Sequence, residues 1–223
     1  MRLETEREKK NTHERARPRP PTLPRKKKPS PSFCLLLPLA SLSDFGTGIY
    51  HWIVDNYGDG STPGLGPQIA AFQGHHQRPW TITEREFANN CHTTFKPAAL
   101  VSVAWLAAVP ADAPPAAAAF FATLIGCAAL SQQFHAWAHG KPSTVPAPVR
   151  RLQAAGLLVS AKAHGAHHRA PFEGNYCIVS GAWNGLLDGV GFFRGLEKAV
   201  HAVTGVEPRC WSEPNYDWVE NEA

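Results

Sequence analysis

The stretch from Phe134 to His168 reads FHAWAH at 134–139 and, after a gap of 24 residues, HGAHH at 164–168. His135 and His139 are spaced i, i+4; His164, His167 and His168 are spaced i, i+3, i+4. Residues three and four apart share a face of a helix. The spacing therefore predicts an imidazole pair and an imidazole triplet, all five rings converging on one place. Imidazole suits Fe, Zn, Cu and Ni, and such a convergence points to a metal site.

Outward from that stretch, the N-terminal side adds His51 and the adjacent pair His75–His76. One structural zinc needs only four ligands, so eight imidazoles point to two metals with neighbouring ligands. Soluble di-iron bundles build their sites mainly from Glu and Glu-x-x-His. The boxes here are nearly free of Glu, which points to a histidine-rich membrane version of that chemistry. A zincin needs H-E-x-x-H, whereas A-W-A separates His135 from His139. A bis-His haem site needs pairs on opposing helices, not a triplet. G-x-S-x-G is absent, as are the glycine-rich phosphate loops. Isolated histidines such as His13 and His201 read as solvated or packing residues, and an Asp one turn after His51, Asp55, reads as a carboxylate that orients that imidazole.

The apolar segments set the expected architecture. Phe33–Val54 is about long enough to cross a bilayer, which takes ~20 apolar residues, but it carries Asp44 and His51, and ionisable groups there usually face a functional interior. Residues 55–95 read as a polar loop with one helix near 83–90, opened by a Thr83/Glu86 capping box. Ala98–Pro110 and Ala116–Ala138 read as a helical hairpin whose second arm delivers His135 and His139 to the membrane surface. Arg150–Val159 reads as a short amphipathic segment, Ile178–Leu187 as a third apolar stretch, and Gly191–Val203 as a surface helix. The expected fold is all-α: a small polytopic membrane helical bundle with a histidine-rich di-metal site at the membrane surface. The domain expectation is a basic, Pro-rich tail at 1–32, disordered or a targeting segment, a single domain at 33–215, and a polar tail at 216–223.

Charge and cysteines narrow the class further. The chain has 22 Lys and Arg against 18 Asp and Glu. About half of the basic residues fall in the first 32 positions, so the body is slightly acidic and gives no basic face for nucleic acid. Five cysteines, with no C-x-x-C, argue against a disulfide framework and a Cys-ligated zinc site. The mean hydropathy of −0.25 is low for a membrane protein, and the polar tail and site loops account for much of that.

HWIVDNYGDGSTP (51–63), AFQGHHQRPWTITEREFANN (71–90), SQQFHAWAHG (131–140), LVSAKAHGAHHRAPFEGNYCIVSGAWN (158–184) and WSEPN (211–215) resemble the plant fatty acid desaturase 4-like proteins of the lipid desaturase family. Those are plastid palmitoyl-phosphatidylglycerol desaturases; plasmanylethanolamine desaturase is a more distant likeness. The resemblance implies a membrane-bound, O2-dependent desaturase with two non-haem Fe ions. The family's histidine motifs fall on His51, His75, His76, His135, His139, His164, His167 and His168. His92, in a plant-type FANNxH stretch, is expected to support the ligands without binding metal. The resemblance further implies a phosphatidylglycerol substrate, a trans double bond near the carboxyl end of the palmitoyl chain, an electron donor such as ferredoxin, and a chloroplast membrane location. Family members carry a longer apolar region before the HW motif, where this chain has its charged tail and no recognisable transit peptide. The alternatives are a plasmanylethanolamine-type ether-lipid desaturase and an inactive, N-terminally altered metal-binding membrane protein.

Overall fold

The computed structural model describes residues 31–212, with side chains from residue 40 onward; the tails at 1–30 and 213–223, and the expectations for them, lie outside the described residues. The order is α1 (Pro31–Asn56), α2 (Gly66–Gln77), a 3-10 turn (Pro79–Thr83), α3 (Phe87–Ala108), α4 (Pro115–His139), α5 (Ala147–Ala154), α6 (Ala161–His167), α7 (Asn184–Gly189), α8 (Phe192–Thr204) and a 3-10 turn (Arg209–Trp211). Among the described residues there is no strand, and the all-α expectation holds.

Helix α4 is the central element, packed between α1 and α3. It starts with Pro115 in its first turn, where a missing N–H costs nothing. The α3–α4 hairpin has a polar seam near the site: Asn90 donates to the Gln132 carbonyl (3.1 Å) and Thr94 to the Ala129 carbonyl (2.7 Å). At its far end Trp105 stacks on Phe121, with centroids 4.4 Å apart.

Among the described residues α4 is the one helix long and apolar enough to cross a bilayer. Its 25 residues span about 37 Å at 1.5 Å per residue, against a hydrocarbon core of about 30 Å. Helix α3 has the length, but Asn89, Asn90, His92 and Lys96 make its first half polar. Among the described residues α4 thus supplies one span, where a polytopic bundle needs several. The hairpin does present apolar side chains outward, Leu100, Val103 and Leu106 being two-thirds exposed or more.

Two local expectations change. Residues 66–77 form a helix, not a loop, and that helix carries His75 and His76. The Thr83/Glu86 capping box is not formed: Thr83 donates to the Trp80 carbonyl, and α3 starts only at Phe87, with Glu86 as an N-cap that makes no side-chain bond.

The segment between α6 and α7, residues 174–183, is a non-helical strap laid across α1. Asp44, wholly buried, accepts hydrogen bonds from the backbone N–H groups of Val179 (3.0 Å), Ser180 (2.8 Å) and Gly181 (3.0 Å). That explains a carboxylate inside an apolar helix, since a buried charge is tolerated when it is fully hydrogen-bonded. Asn184 closes the strap by donating to the Cys177 carbonyl and accepting from its N–H. Trp52, Tyr176, Cys177, Leu187 and Phe193 make the core between α1, the strap, α7 and α8. Cys91, Cys127, Cys177 and Cys210 are free thiols.

Candidate metal centre

The eight histidines meet at one end of the bundle. His51 comes from the last turns of α1, His75 and His76 from the end of α2, His135 and His139 from the end of α4, His164 and His167 from α6, and His168 from its C-cap. Ser160 starts α6 by accepting the Ala163 N–H at 3.2 Å, an ordinary N-cap.

The donor atoms fall into two sets, within each of which all atoms lie within 4.8 Å of one another. One set is His75, His135, His139, His164 and His168; the other is His51, Asp55, His76 and His167. The five residues of the 135–168 stretch thus do not share one place, because His167 belongs to the second set. Likewise His75 and His76 serve different sets. Successive helical residues point about 100° apart, so one short helix can feed two neighbouring centres.

Asp55 is more than an orienting group for His51. Its Oδ2 lies 3.2 Å from His51 Nε2, 3.3 Å from His76 Nε2 and 3.3 Å from His167 Nε2. Neither of its carboxylate oxygens has a hydrogen-bond partner, nor has His51 Nε2, although all are buried. In the other set His139 Nε2 lies 2.9 Å from His75 Nε2 and 3.2 Å from His135 Nε2, and His164 and His168 bring their Nε2 atoms to 3.1 Å.

These spacings test whether metal fits. Two nitrogens each about 2.1 Å from one ion at right angles are about 3.0 Å apart, and at the tetrahedral angle about 3.4 Å. The observed separations fall in or close to that range. A neutral imidazole has one proton to share, so a knot of facing Nε2 atoms cannot be satisfied by hydrogen bonds alone, whereas a cation between them uses every lone pair.

The strap sets the tautomers of the second set. His51 Nδ1 donates to the Tyr176 carbonyl at 3.0 Å, and His167 Nδ1 to the Gly174 carbonyl at 2.7 Å. A carbonyl only accepts, so Nδ1 carries the proton and Nε2 offers its lone pair inward. Tyr176 is held in turn by Asn56, which donates to its hydroxyl, and by the Phe172 carbonyl. Motif spacing could not reveal these carbonyl partners, because backbone oxygens leave no residue signature.

Burial keeps His75, His164 and His168 neutral. It pushes His75 down to about 2, with the neighbouring His139 and His76 adding repulsion. His164 is held well below its ordinary value by burial and then by His167 and His139, and His168 is lowered by burial and then by His167 and His76. Neutral histidine is the metal-binding form. His92 stands apart from both sets, exposed on α3 with its Nδ1 2.8 Å from the Asn89 carbonyl.

Fold and site together define a helical bundle closed at one end by two adjoining histidine-rich donor sets able to hold metal. The chain belongs to the lipid desaturase family, whose domain matches residues 40–211. It is 53% identical over 182 residues to fatty acid desaturase 4, chloroplastic, of Arabidopsis thaliana, covering 80% of this chain and 54% of that protein. Fatty acid desaturase 4-like 1, chloroplastic, of the same plant is 49% identical over 178 residues, covering 80% of this chain and 59% of the relative. Plasmanylethanolamine desaturase 1 of Mus musculus is 31% identical over 180 residues, covering 77% and 65% respectively. The chain thus spans between half and two-thirds of the length of these relatives. No solved structure matches it significantly.

Proposed function

We propose that this chain is an acyl-lipid desaturase that uses two non-haem iron ions, O2 and an external electron donor such as ferredoxin to introduce a double bond into the palmitoyl chain of phosphatidylglycerol. The single observation that carries this reading is the pair of adjoining donor sets, eight imidazoles and one carboxylate, buried or half-buried at the end of the bundle. The reaction balances as a CH2–CH2 unit, O2, two electrons and two protons giving CH=CH and two waters. Bound iron would supply the O2 chemistry. His51, Asp55, His76 and His167 would hold one ion, and His75, His135, His139, His164 and His168 the other. The Tyr176 and Gly174 carbonyls fix the rings of His51 and His167. An apolar cavity of about 430 Å³ beside His51, between α1, α3 and α4, offers a place for an acyl chain away from water.

The names of the plant relatives support fatty acid desaturation and a chloroplast location, and the outward-facing apolar side chains of the α3–α4 hairpin support residence in a membrane. A carboxyl-proximal trans double bond accords with a site at the end of the bundle, where a head group would sit. The mouse relative keeps an ether-lipid substrate as the second reading.

Two measurements test the proposal. Purified protein is expected to bind two irons per chain, and a host expressing it to gain a trans-hexadecenoyl chain in phosphatidylglycerol. A new vinyl ether instead would transfer the assignment to the ether-lipid reaction. One zinc and no iron would end the desaturase reading.

A further inference from the structure

A second cavity, of about 460 Å³, has Phe72 in its wall, as the apolar one does. The two share Gln68, Phe72, Thr93 and Gln132 in their walls, so they adjoin across those side chains. Their characters differ. The apolar cavity is lined by side chains such as Leu42, Val101, Leu124 and Ile125, and no Asp, Glu, Lys or Arg lines it. The second has Arg78 and Arg85 in its wall with Asn89, Asn90 and Thr93, and no acidic residue lines it. Glu84 and Glu86 flank Arg85 in sequence but stand outside the lining. Both arginines are exposed, Arg78 just after α2 and Arg85 in the turn before α3.

The donor sets border both cavities: His75 and His135 line the polar one, His51 the apolar one. Both volumes are of the size usual for small-molecule sites. A polar pocket with two guanidinium groups, adjoining an apolar pocket across a shared wall, matches the two ends of one molecule: a phosphate-bearing head and a hydrocarbon chain. Guanidinium suits phosphate because its planar fork of donors pairs two oxygens at once. Two guanidinium groups in one wall favour a head that carries net negative charge.

We infer that the polar cavity is the head-group subsite for an anionic glycerophospholipid, with Arg78 and Arg85 holding its phosphate while the acyl chain passes Phe72 into the apolar cavity. This inference rests on the lipid-desaturase reading for the identity of the chain but not for the recognition chemistry. It also gives a reason for reaction near the carboxyl end. The chain enters past His75 and His135 before reaching the apolar pocket, so the carbons nearest the ester lie beside the donor sets. Arg78 and Arg85 are then positioning and specificity residues that touch the substrate far from the bond that is oxidised.

The test is a binding titration of the full chain, iron-loaded and in neutral detergent, with dipalmitoyl-phosphatidylglycerol, dipalmitoyl-phosphatidylcholine and inorganic phosphate. Phosphatidylglycerol is expected to bind more tightly than phosphatidylcholine. Arg78→Gln and Arg85→Gln are each expected to weaken it about fivefold, and the double variant about 25-fold, as one surface cation near an anionic lipid contributes that much. Iron content and helicity are expected to stay native in these variants, and Lys198→Gln, an exposed charge on α8, to leave binding unchanged. Should an arginine variant fold poorly, Arg78→Lys with Arg85→Lys keeps the charge and is expected to retain the preference for phosphatidylglycerol. Native lipid affinity in a folded, iron-loaded double Gln variant would overturn the inference. So would inorganic phosphate binding as tightly as the lipid, which would assign the cavity to free phosphate. Arginine-dependent lipid binding by a protein that makes no double bond would instead leave this subsite standing and remove the desaturase reading.

Discussion

Among single residues Asp55 has the widest reach, because one carboxylate oxygen faces three Nε2 atoms and has nothing else to bond. Asp55→Asn is expected to lower iron content by about half while the five-histidine set keeps its ion, since a neutral amide is a poor metal donor. The same metal assay on His92→Ala is expected to show no loss, as that ring lies on the exposed side of α3. Equal loss in both variants would mean that the two donor sets are not the metal sites. Gly66 has a different kind of importance. A Cβ built there would sit 2.2 Å from the Gly60 carbonyl oxygen, and backbone cannot swing aside as a side chain does. Gly66→Ala should cost about 1–3 kcal/mol of stability and lower iron content, because the displaced helix carries His75 and His76. Thermal midpoint and bound iron, measured together, check this. The histidines of the 135–168 stretch were legible because they repeat at helical spacing, and His51 and the His75–His76 pair were then gathered to them. Their division into two sets was not: His164, His167 and His168 lie so close in sequence that only the direction of each side chain tells which centre it serves.

At the level of elements, the strap at 174–183 does for the second donor set what a rigid strand does in other folds. Its carbonyls at Gly174 and Tyr176 hold His167 and His51, and Asp44 on α1 holds the strap. Removing the carboxylate leaves several backbone donors without a partner in a buried place. Asp44→Ala is therefore expected to cost about 3 kcal/mol or more, with Asp44→Asn milder because one oxygen remains to accept. Iron affinity by chelator competition should fall in the same order, the ion near His51 and His167 being lost first. Unchanged iron affinity in a destabilised Asp44→Ala protein would show that the strap stabilises the fold without tuning the site. Elements with a long apolar run, α1 and α4, could be read from sequence, as could α8 with its regular apolar spacing between Gly191 and Gly205. Helix α2 could not, because GPQIAAFQGHHQ starts with Gly-Pro and holds few apolar residues. It is helical because Ile69 and Phe72 bury against Val54 of α1. The strap from Ile178 onward read as part of an apolar stretch, since its bonding to Asp44 is carried by backbone N–H groups that composition does not display.

For the molecule as a whole, packing nine donor residues into one end of a small bundle couples folding, metal and pH. In the metal-free protein His75, His164 and His168 are kept neutral by burial, far below the ordinary histidine value, whereas in the unfolded chain each titrates near about 6.5. Below that pH the unfolded chain takes up protons that the folded chain refuses, so stability falls as pH falls. Each such group contributes up to about 1.4 kcal/mol per pH unit, from about 6.5 downward until its folded value is reached, which for His75 is about 2. Above neutrality these three groups give no slope. Metal-stripped protein is thus expected to hold its thermal midpoint from about pH 8 to about pH 7 and to lose it progressively towards about pH 5. Metal adds stability through binding to the folded state alone. Because His75, His164 and His168 do not take up protons in this window, protons do not compete with metal at the donor set they belong to. The gap between iron-loaded and chelator-treated midpoints should therefore persist from about pH 7 to about pH 5 while both curves descend together. Histidines of ordinary basicity would give the opposite picture: a metal-free midpoint nearly level with pH and a gap that closes as protons displace the ion. Melting both forms across this range separates a preformed, dry donor cluster from a set of solvated histidines that metal must first deprotonate.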